Sequence, residues 1–172
     1  KLCQGSLIAF LDADDLWTRD KLKKQIFFMK KSLVDISHTS YHIINSDNKK
    51  IGNRIAKDMN HKLLLSSCDI GLSTVIMKKE IITNKIKFAN INTKEDYVLW
   101  LKITLDNKKI FALKNNLTKW RKLNDSLSAS KIQKLYDGYL VYRKYMNFSL
   151  AKSFIRLLLL SFNYGLKGLR NK

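Results

Sequence analysis

Proline is absent from this 172-residue sequence, cysteine occurs only at Cys3 and Cys68, and acidic residues are less than half as numerous as basic ones. Two cysteines are too few for a disulfide framework or a cysteine-rich zinc site, so we expect both thiols to be reduced. No apolar run reaches the length of about 18 residues that a transmembrane helix requires. The first residues also lack the basic and apolar segments of a signal peptide. The sequence therefore predicts neither a membrane-spanning helix nor a disulfide-stabilised fold.

The excess of basic residues is the strongest bias in the composition. Lysine and arginine number 33 against 14 acidic residues, which gives a formal net charge of +19 at pH 7. Such a chain is attracted to anionic partners such as lipid surfaces, nucleic acids or nucleotide phosphates. An AT-rich genome would also raise the lysine content without any such partner. The sequence contains no helix-turn-helix, zinc-ligand or aromatic RNA-binding pattern, so we expect no specific nucleic acid partner. A basic nucleic-acid- or membrane-binding module without enzymatic activity is the alternative function.

An apolar run that ends in three carboxylates is the most informative local pattern. Residues 7–11 are all apolar, and Asp12, Asp14 and Asp15 follow them directly. Such a run is typical of a buried strand, and the residues after it lie at the sheet edge where open α/β folds bind ligands. Crowded carboxylates repel one another unless a cation is bound, and Mg²⁺ or Mn²⁺ typically binds one or two carboxylates plus substrate phosphates. The pattern predicts a metal–phosphate site, with a solvated acidic turn as the alternative.

Several segments together resemble a known family. Residues 10–17 read Phe-Leu-Asp-Ala-Asp-Asp-Leu-Trp, and they resemble the Asp-x-Asp segment of family 2 glycosyltransferases of the GT-A fold. Residues 73–77 and 95–101 resemble the acceptor-side strand and the catalytic Glu-Asp motif of that family. The bacterial members that build lipopolysaccharide and capsule are the most similar, and the resemblance covers about residues 5–130. The other residues that carry it are Lys21, Leu22, Gln25, Trp120, Arg121 and the segment Ser126-Leu127-Ser128.

The resemblance implies an α/β fold, a partial GT-A-like mixed sheet flanked by helices, with amphipathic helices at the C-terminus. It implies an inverting hexosyltransferase that uses Mn²⁺ or Mg²⁺. The expected donor is a UDP-linked nucleotide-sugar, and the expected acceptor is a hydroxyl of a surface glycan or a lipid-linked glycan. In this family the first half of the nucleotide-binding sheet precedes the Asp-x-Asp strand. We therefore expect the chain to be the C-terminal portion of such an enzyme or a truncated product, with an unpaired edge on its first strand. An inactive remnant is a further alternative.

The resemblance also implies roles for individual residues. Asp96 would be the general base that removes the proton of the acceptor hydroxyl. Arg121 would bind donor phosphate, with a structural ion pair as the alternative. The pair Glu95 and Asp96 has its own alternative, because the helix dipole favours acidic residues in a first turn whatever their function. The remaining roles are those of metal ligands for Asp14, Asp12 and Asp15, donor contacts for Asp12 and Asp14, and acceptor contacts for Glu95, Thr74 and Trp100.

The C-terminal segment is predicted to be helical and separate from the catalytic region. We divide the chain into a partial catalytic domain at 1–130 and a helical, basic, amphipathic extension at 131–172. Residues 150–169 carry a wide apolar face flanked by basic residues, a pattern typical of a helix in a membrane interface or of a helix packed on the protein. The first reading predicts a peripheral protein on the cytoplasmic face of a bacterial membrane.

Periodicity and turn signals predict the remaining elements. The first is a helix over 19–31 that Thr18 caps, with its lysines in solvent. The second is a strand over 36–45 that carries His38 and His42 at the surface or in the acceptor cleft. The other predictions are a helix ending within residues 1–6, inward positions at Leu22, Ile26 and Met29, a strand over 51–56, a helix near 60–67, a strand over 73–78, a helix over 95–106 with Leu105 buried, two strands over 110–113 and 117–121, and a helix over 131–146 with Ile132, Leu135 and Tyr139 on one face.

Overall fold

A mixed sheet flanked by helices is formed by the residues that the computed structural model describes, which are 3–105, 107–123 and 130–170. The predicted α/β class is therefore confirmed. Ser126-Leu127-Ser128 lies outside the described residues. The strands are β1 (Leu7–Ala9), β2 (Leu16–Trp17), β3 (Ile36–Ile44), β4 (Lys50–Arg54), β5 (Ile76–Lys78) and β6 (Phe111–Arg121). The helices are α1 (Lys21–Ser32), α2 (His61–Leu64), α3 (Glu95–Thr104), α4 (Lys131–Leu140) and α5 (Leu150–Arg170), with 3₁₀ turns at Leu72–Thr74 and Lys79–Ile81 and a π-helical turn at Val141–Tyr145.

Strand β3 lies in the middle of the sheet and pairs with three others. The sheet order is β1-β5-β3-β6-β2, and β4 pairs with the end of β3. The β3–β6 pair is parallel and all other pairs are antiparallel. Within the described residues β1 pairs only with β5, so its other side is an unpaired edge of the sheet, as the sequence analysis predicted.

Two of the predicted strands are one strand in the structure. Strand β6 runs through Asn115 and Asn116, which had indicated a break between 113 and 117. The register of β6 against β3 shifts at this point, because Leu113 pairs with Thr39 and Asn116 pairs with the next residue, Ser40. The polar pair therefore forms a bulge within the strand rather than a loop. The N-terminal prediction also differs, since residues 3–6 are not helical and β1 ends at Ala9 rather than residue 11.

Helix α1 buries Lys21, which contradicts its predicted place in solvent, whereas Lys23, Lys24, Lys30 and Lys31 are exposed as predicted. Lys21 is fully buried, and its Nζ donates to Oε1 of Gln25 at 2.9 Å and lies 4.4 Å from the centre of the Trp17 ring. The Nε2 amide of Gln25 donates to the carbonyl and hydroxyl oxygens of Ser37 and to the carbonyl of Thr74. Burial lowers the pKa of Lys21 to about 8. These contacts fasten α1 to the sheet through hydrogen bonds as well as apolar packing.

The start and the apolar face of α1 also differ from the prediction. The helix begins at Lys21 after Asp20, and the hydroxyl of Thr18 bonds Oδ1 of Asp20 instead of capping the helix. Leu22 is 43% exposed, whereas Met29 is buried as predicted. The inward face is therefore turned by about one residue, because the side chain of Lys21 takes the position that the periodicity assigned to Leu22.

His38 was predicted at the surface or in the cleft, but the structure buries it completely. Its Nε2 lies 2.9 Å from the carbonyl oxygen of Lys57, to which the ring donates. Burial lowers the pKa of this imidazole, with the neighbouring carbonyl and carboxylates acting against that shift. A neutral, hydrogen-bonded histidine in the core is thus a structural residue.

Helix α3 forms the centre of the core. Tyr97, Trp100 and Leu101 have almost no exposed surface, and the helix is enclosed on several sides by apolar residues of the sheet, α2 and the C-terminal helices. Leu105 is the exception, because the helix ends at Thr104 and leaves this side chain 55% exposed. The predicted helix is confirmed, but the prediction that Leu105 is buried is wrong.

The C-terminal helices pack against this same core. The hydroxyl of Tyr142 donates to the carbonyl of Leu65 at 2.9 Å, and Val141 and Leu160 belong to the apolar cluster around α3. Asp137 and Gly138 face inward on α4, whereas Ile132 and Leu135 are exposed, so the predicted face of this helix is wrong. Within the described part of the chain, no helix is long and apolar enough to cross a bilayer.

Candidate functional site

A cleft of about 500 Å³ opens where the carboxyl ends of the parallel strands β3 and β6 meet the loop after β1 and the start of α3. Four carboxylates line it: Asp12 and Asp14 from the loop, and Glu95 and Asp96 from the helix. The structure thus brings together two acidic pairs that are about eighty positions apart in the sequence. Tyr41 and Trp120, whose rings form an edge-to-face pair with centres 6.5 Å apart, line the cleft between the two strands.

Ser73 holds one side of the acidic loop. Its hydroxyl accepts from the backbone N–H of Asp12 at 2.9 Å, and its carbonyl accepts from the indole N–H of Trp17 at 2.7 Å. Ser73 is itself buried and belongs to the 3₁₀ turn before β5. The loop is therefore fixed at both ends against a turn that lies sixty residues later in the chain.

Arg121 holds the other side of the acidic loop, at the end of β6. Its Nε donates to the carbonyl of Asp14 at 2.8 Å, and its terminal nitrogens donate to the carbonyls of Asn45 and Ser46 and to Oδ1 of Asn48. All three guanidinium nitrogens are thus engaged with protein oxygens. The predicted phosphate contact of Arg121 is not supported, and the alternative ion pair is also wrong, because its partners are neutral carbonyl and amide oxygens. The planar fork instead ties the acidic loop and the turn between β3 and β4 to the end of β6.

Asp15 turns away from the cleft, which contradicts its prediction as a metal ligand. Its side chain is only 5% exposed, and its Oδ1 accepts from the backbone N–H of Arg121 at 2.8 Å. The pKa of Asp15 is raised to about 6, mainly by burial and also by the charges of Asp12 and Asp14, while Ser73 and the Arg121 amide act against the shift. Asp15 therefore fastens the loop to β6 and leaves its two neighbours at the cleft.

Asp12 and Asp14 are the residues that could hold a divalent cation. Burial and the charge of Asp14 raise the pKa of the half-buried Asp12, and the Ser73 hydroxyl opposes this shift. The described residues contain no group of three or more histidine, cysteine, aspartate or glutamate side chains arranged as a complete metal site. Two carboxylates with a substrate diphosphate as the further ligand are nonetheless an ordinary arrangement for Mg²⁺ and related hard cations. The donor set fits such a cation, provided that the substrate completes the coordination.

Asp96 lies in the first turn of α3 and faces the same cleft. Its Oδ1 accepts from the backbone N–H of Tyr97 at 2.7 Å. Burial raises the pKa of Asp96 to about 7, and the charges of Glu95 and Asp12 act in the same direction. Lys94, which precedes the pair, adopts a left-handed backbone with φ of 66° and lowers this pKa slightly through its charge. A carboxyl group that titrates near neutrality is suited to general-base chemistry.

Thr74 and Trp100 lie away from the cleft. Trp100 has no exposed surface and packs in the core, and Thr74 is 2% exposed and donates its hydroxyl to the carbonyl of Gly71. A side chain without accessible surface cannot contact an acceptor, so both acceptor-binding predictions are dropped. Sequence reasoning also missed Tyr41 as a lining residue. A parallel pairing of the strands around 41 and 120 would have indicated it, because carboxyl ends of parallel strands share one edge.

A family model described as Glycosyl transferase family 2 matches residues 1–101. The chain belongs to this family.

The relatives with specific names are bacterial glycosyltransferases. A UDP-Glc:alpha-D-GlcNAc-diphosphoundecaprenol beta-1,3-glucosyltransferase of Escherichia coli, WfgD, is 34% identical over 160 residues, which cover 91% of this chain and 62% of that protein. The putative teichuronic acid biosynthesis glycosyltransferase TuaG of Bacillus subtilis is 31% identical over 143 residues, which cover 82% of this chain and 56% of that protein. The chain therefore spans little more than half the length of these relatives.

The fold is shared with a solved structure. The crystal structure of Staphylococcus aureus TarS residues 1–349 in complex with UDP-GlcNAc superimposes with a TM-score of 0.62 at 17% identity. The match covers 90% of this chain and 47% of the TarS chain. The predicted GT-A-like architecture of this family 2 member is confirmed, and its core carries the cleft described above.

Replacement of Arg121 should loosen the acidic loop. Arg121→Ala removes the donors to the carbonyls of Asp14, Asn45 and Ser46. We expect the free energy of unfolding to fall by about 1–3 kcal/mol and amide exchange of residues 12–15 to accelerate. Arg121→Lys should recover little, because an ammonium cannot reproduce the fork. Chemical denaturation and hydrogen exchange measure both effects. Lys119→Ala, which removes an exposed cation on the same strand, is the control, and an Arg121→Lys variant indistinguishable from wild type would contradict the prediction.

Proposed function

We propose that this chain contributes the catalytic cleft of a glycosyltransferase that transfers a sugar from a nucleotide-sugar to a hydroxyl of a bacterial surface glycan. The observation that carries the proposal is the meeting of Asp12 and Asp14 with Glu95 and Asp96 in one cleft. Membership of family 2 and relatives named for polysaccharide synthesis support it. Since the chain spans only part of those relatives, the proposal concerns the intact protein.

Asp12 and Asp14 would hold Mn²⁺ or Mg²⁺ together with the diphosphate of the donor. When bound, such a cation offsets the negative charge that develops on the departing nucleotide. A UDP-linked donor is supported by the printed donor of WfgD, UDP-Glc, and by TarS, which was crystallised with UDP-GlcNAc and with UDP. The aromatic pair of Tyr41 and Trp120 gives the same cleft an apolar wall against which a sugar ring could pack.

Asp96 would accept the proton of the acceptor hydroxyl as that oxygen attacks the anomeric carbon. Attack on the face opposite the departing nucleotide inverts the configuration at that carbon. Glu95, the neighbouring cleft carboxylate, would bind the acceptor through its other hydroxyls. The acceptor class that we infer is a glycan or a lipid-linked glycan, because the printed acceptor of WfgD is a sugar linked through diphosphate to undecaprenol.

Asp96→Asn tests the base directly. The amide keeps the size of the carboxylate but cannot accept the proton, so we expect the transfer rate of the intact protein to fall by about 10²-fold or more. Binding of the nucleotide-sugar, measured by calorimetry, should change little. Glu80→Gln, at an exposed carboxylate outside the cleft, is the control and should leave turnover unchanged. Retained turnover in Asp96→Asn would remove this residue as the base.

The pH profile provides a second measurement on the same residue. Only the ionised carboxylate accepts a proton, and burial raises the pKa of Asp96 to about 7. The rate should therefore increase as the pH rises through this value and level off above it. Any residual activity of Asp96→Asn should lack this increase of the rate with pH.

Asp14→Ala and Asp15→Asn should separate the metal ligand from the structural carboxylate. Asp14 lines the cleft, whereas Asp15 accepts from the Arg121 amide, a bond that an asparagine oxygen can keep. We expect Asp14→Ala to weaken binding of Mn²⁺ in the presence of UDP by at least about tenfold, or about 1.4 kcal/mol. Asp15→Asn should retain wild-type affinity. Calorimetric titration of Mn²⁺ measures both, and equal losses in the two variants would refute the assignment.

We also propose that α5 lies on an anionic membrane surface, where a lipid-linked acceptor would be found. The helix buries Ser153 and Leu160 against the protein, and many of its outward-facing side chains are large and apolar. No acidic residue follows Asp137 in the sequence, so a negatively charged lipid surface complements the segment. The exposed apolar residues are Leu150, Phe154, Ile155, Leu158, Leu159, Phe162 and Leu166.

Phe162→Glu tests this surface. Phe162 is 65% exposed, so its replacement removes apolar contact with lipid while leaving the core intact. We expect binding to vesicles that contain phosphatidylglycerol to weaken by at least about tenfold, and wild-type binding to decrease with salt. Ser161→Glu adds the same charge beside it and should cost less. The membrane assignment would be contradicted if the wild-type protein stays in the supernatant when the vesicles are sedimented, or if it buries this face in a dimer.

A further inference from the structure

Asp137 is a buried carboxylate outside the segment that matches the family model. It lies on α4, is 1% exposed, and faces the loop that precedes α3. Its Oδ2 accepts both the backbone N–H and the hydroxyl of Thr93, each at 2.8 Å, and its Oδ1 accepts from Nε2 of Gln133 at 3.0 Å. A carboxylate that accepts three hydrogen bonds in a dry environment fixes its partners firmly, because losing them would leave a buried charge unsatisfied.

The partner of Asp137 is three residues from the proposed base. Thr93 is followed by Lys94, whose left-handed backbone turns the chain into α3, and then by Glu95 and Asp96. Thr93, Lys94 and Asp96 all line the cleft. Lys94 has no side-chain cap for the helix and adopts a conformation that is unfavourable for a residue with a Cβ. This start of α3 therefore depends on contacts from outside the helix.

Gly138 supplies the second contact from α4. A Cβ added at this position would lie 2.8 Å from Cδ1 of Leu157 and 3.5 Å from Cε of Lys94. The missing side chain lets both the aliphatic part of Lys94 and helix α5 approach α4 closely. Two consecutive residues of α4 thus position the loop before α3. Asp137 binds Thr93 through hydrogen bonds, and Gly138 allows Lys94 to pack closely because it has no side chain.

We propose that Asp137 is a positioning residue that sets the orientation of Asp96 through Thr93, so that the C-terminal helices complete the catalytic cleft. The proposal rests on the proposed function of Asp96. It gives α4 a role in catalysis although none of the α4 side chains that the structure describes lines the cleft. A displacement of about 1 Å in a reacting group can cost about 10²-fold in rate, so a loosened loop should affect turnover more than donor binding.

Asp137→Ala and Asp137→Asn in the intact protein form the test. The alanine variant loses all three hydrogen bonds. The asparagine variant can keep them, since its oxygen accepts from Thr93 and its amide donates to Gln133 once that side chain turns over. We expect Asp137→Ala to lower kcat by about 10–100-fold with KM for the nucleotide-sugar within about twofold of wild type. Asp137→Asn should restore most of the rate.

Hydrogen exchange gives a readout that needs no turnover. We expect amides 93–97 to exchange faster in Asp137→Ala and to regain protection in Asp137→Asn. Thr104→Val is the matched control, because it removes a buried hydroxyl at the far end of the same helix, about 13 Å from Glu95 by helical rise. It should lower stability without changing kcat or the exchange of amides 93–97.

A purely structural role predicts a different result. Asp137→Ala would then lower the melting temperature, while its kcat and the exchange rates of amides 93–97 would match those of Thr104→Val. Alternatively, Asp137→Asn would restore neither kcat nor protection relative to Asp137→Ala. Either outcome overturns the proposal. If Asp137→Ala does not fold, Thr93→Val, which removes one of the three bonds, must show the same effects in smaller measure. If the wild-type protein transfers no sugar, the proposed function fails, and the exchange data still decide whether Asp137 fixes the loop.

Discussion

The backbone and side-chain hydrogen bonds that close the loop at residues 12–15 are the constraint on which the cleft depends. Ser73 holds the amide of Asp12, and β6 holds Asp15 and the carbonyl of Asp14 through Arg121. Three parts of the chain meet in these contacts, with Ser73 lying 61 residues and Arg121 106 residues from their partners in the loop. Because Asp15 accepts a hydrogen bond from the Arg121 amide, only Asp12 and Asp14 of the triplet line the cleft. The acidic triplet therefore divides into one anchor and two candidate ligands, a division that the spacing of the motif does not reveal.

The sequence predicted which segments form the fold better than which side chains are buried. The long strand β3 and the helix that begins at Glu95 were expected at nearly the observed bounds, because their apolar patterns are strong. The strand before the acidic loop was also expected, although it ends two residues earlier than predicted. The joining of the two acidic pairs followed from the family resemblance. The bulge in β6 escaped prediction, since an Asn-Asn pair in a strand is indistinguishable from a turn until the neighbouring strand is known.

Buried polar residues account for most of the remaining errors. Lys21 was expected in solvent and His38 at the surface or in the acceptor cleft, because such side chains are mostly exposed. Each instead has a specific partner in the core, Gln25 for Lys21 and the carbonyl of Lys57 for His38. The family resemblance implied that Arg121 binds phosphate, yet its nitrogens already donate to the acidic loop and to the turn between β3 and β4. No local pattern encodes such a partnership. It arises only when residues distant in sequence are brought together, so pattern reasoning identifies a functional motif more readily than the side chains that support it.

The electrostatics of the cleft oppose those of the whole chain. Four carboxylates gather at one place on a protein with a formal net charge of +19. Burial raises the pKa of Asp12, Asp15 and Asp96 above the unfolded value, so the folded state binds more protons and these groups stabilise it less as the pH rises from about 4 toward 7. At neutral pH the cleft is therefore a strained site, which a bound cation would relieve. The positive remainder of the surface attracts anions, and under the proposed function it would draw in the diphosphate that such a cation also binds. Cation and diphosphate then favour each other's binding, because each supplies the charge that the other lacks.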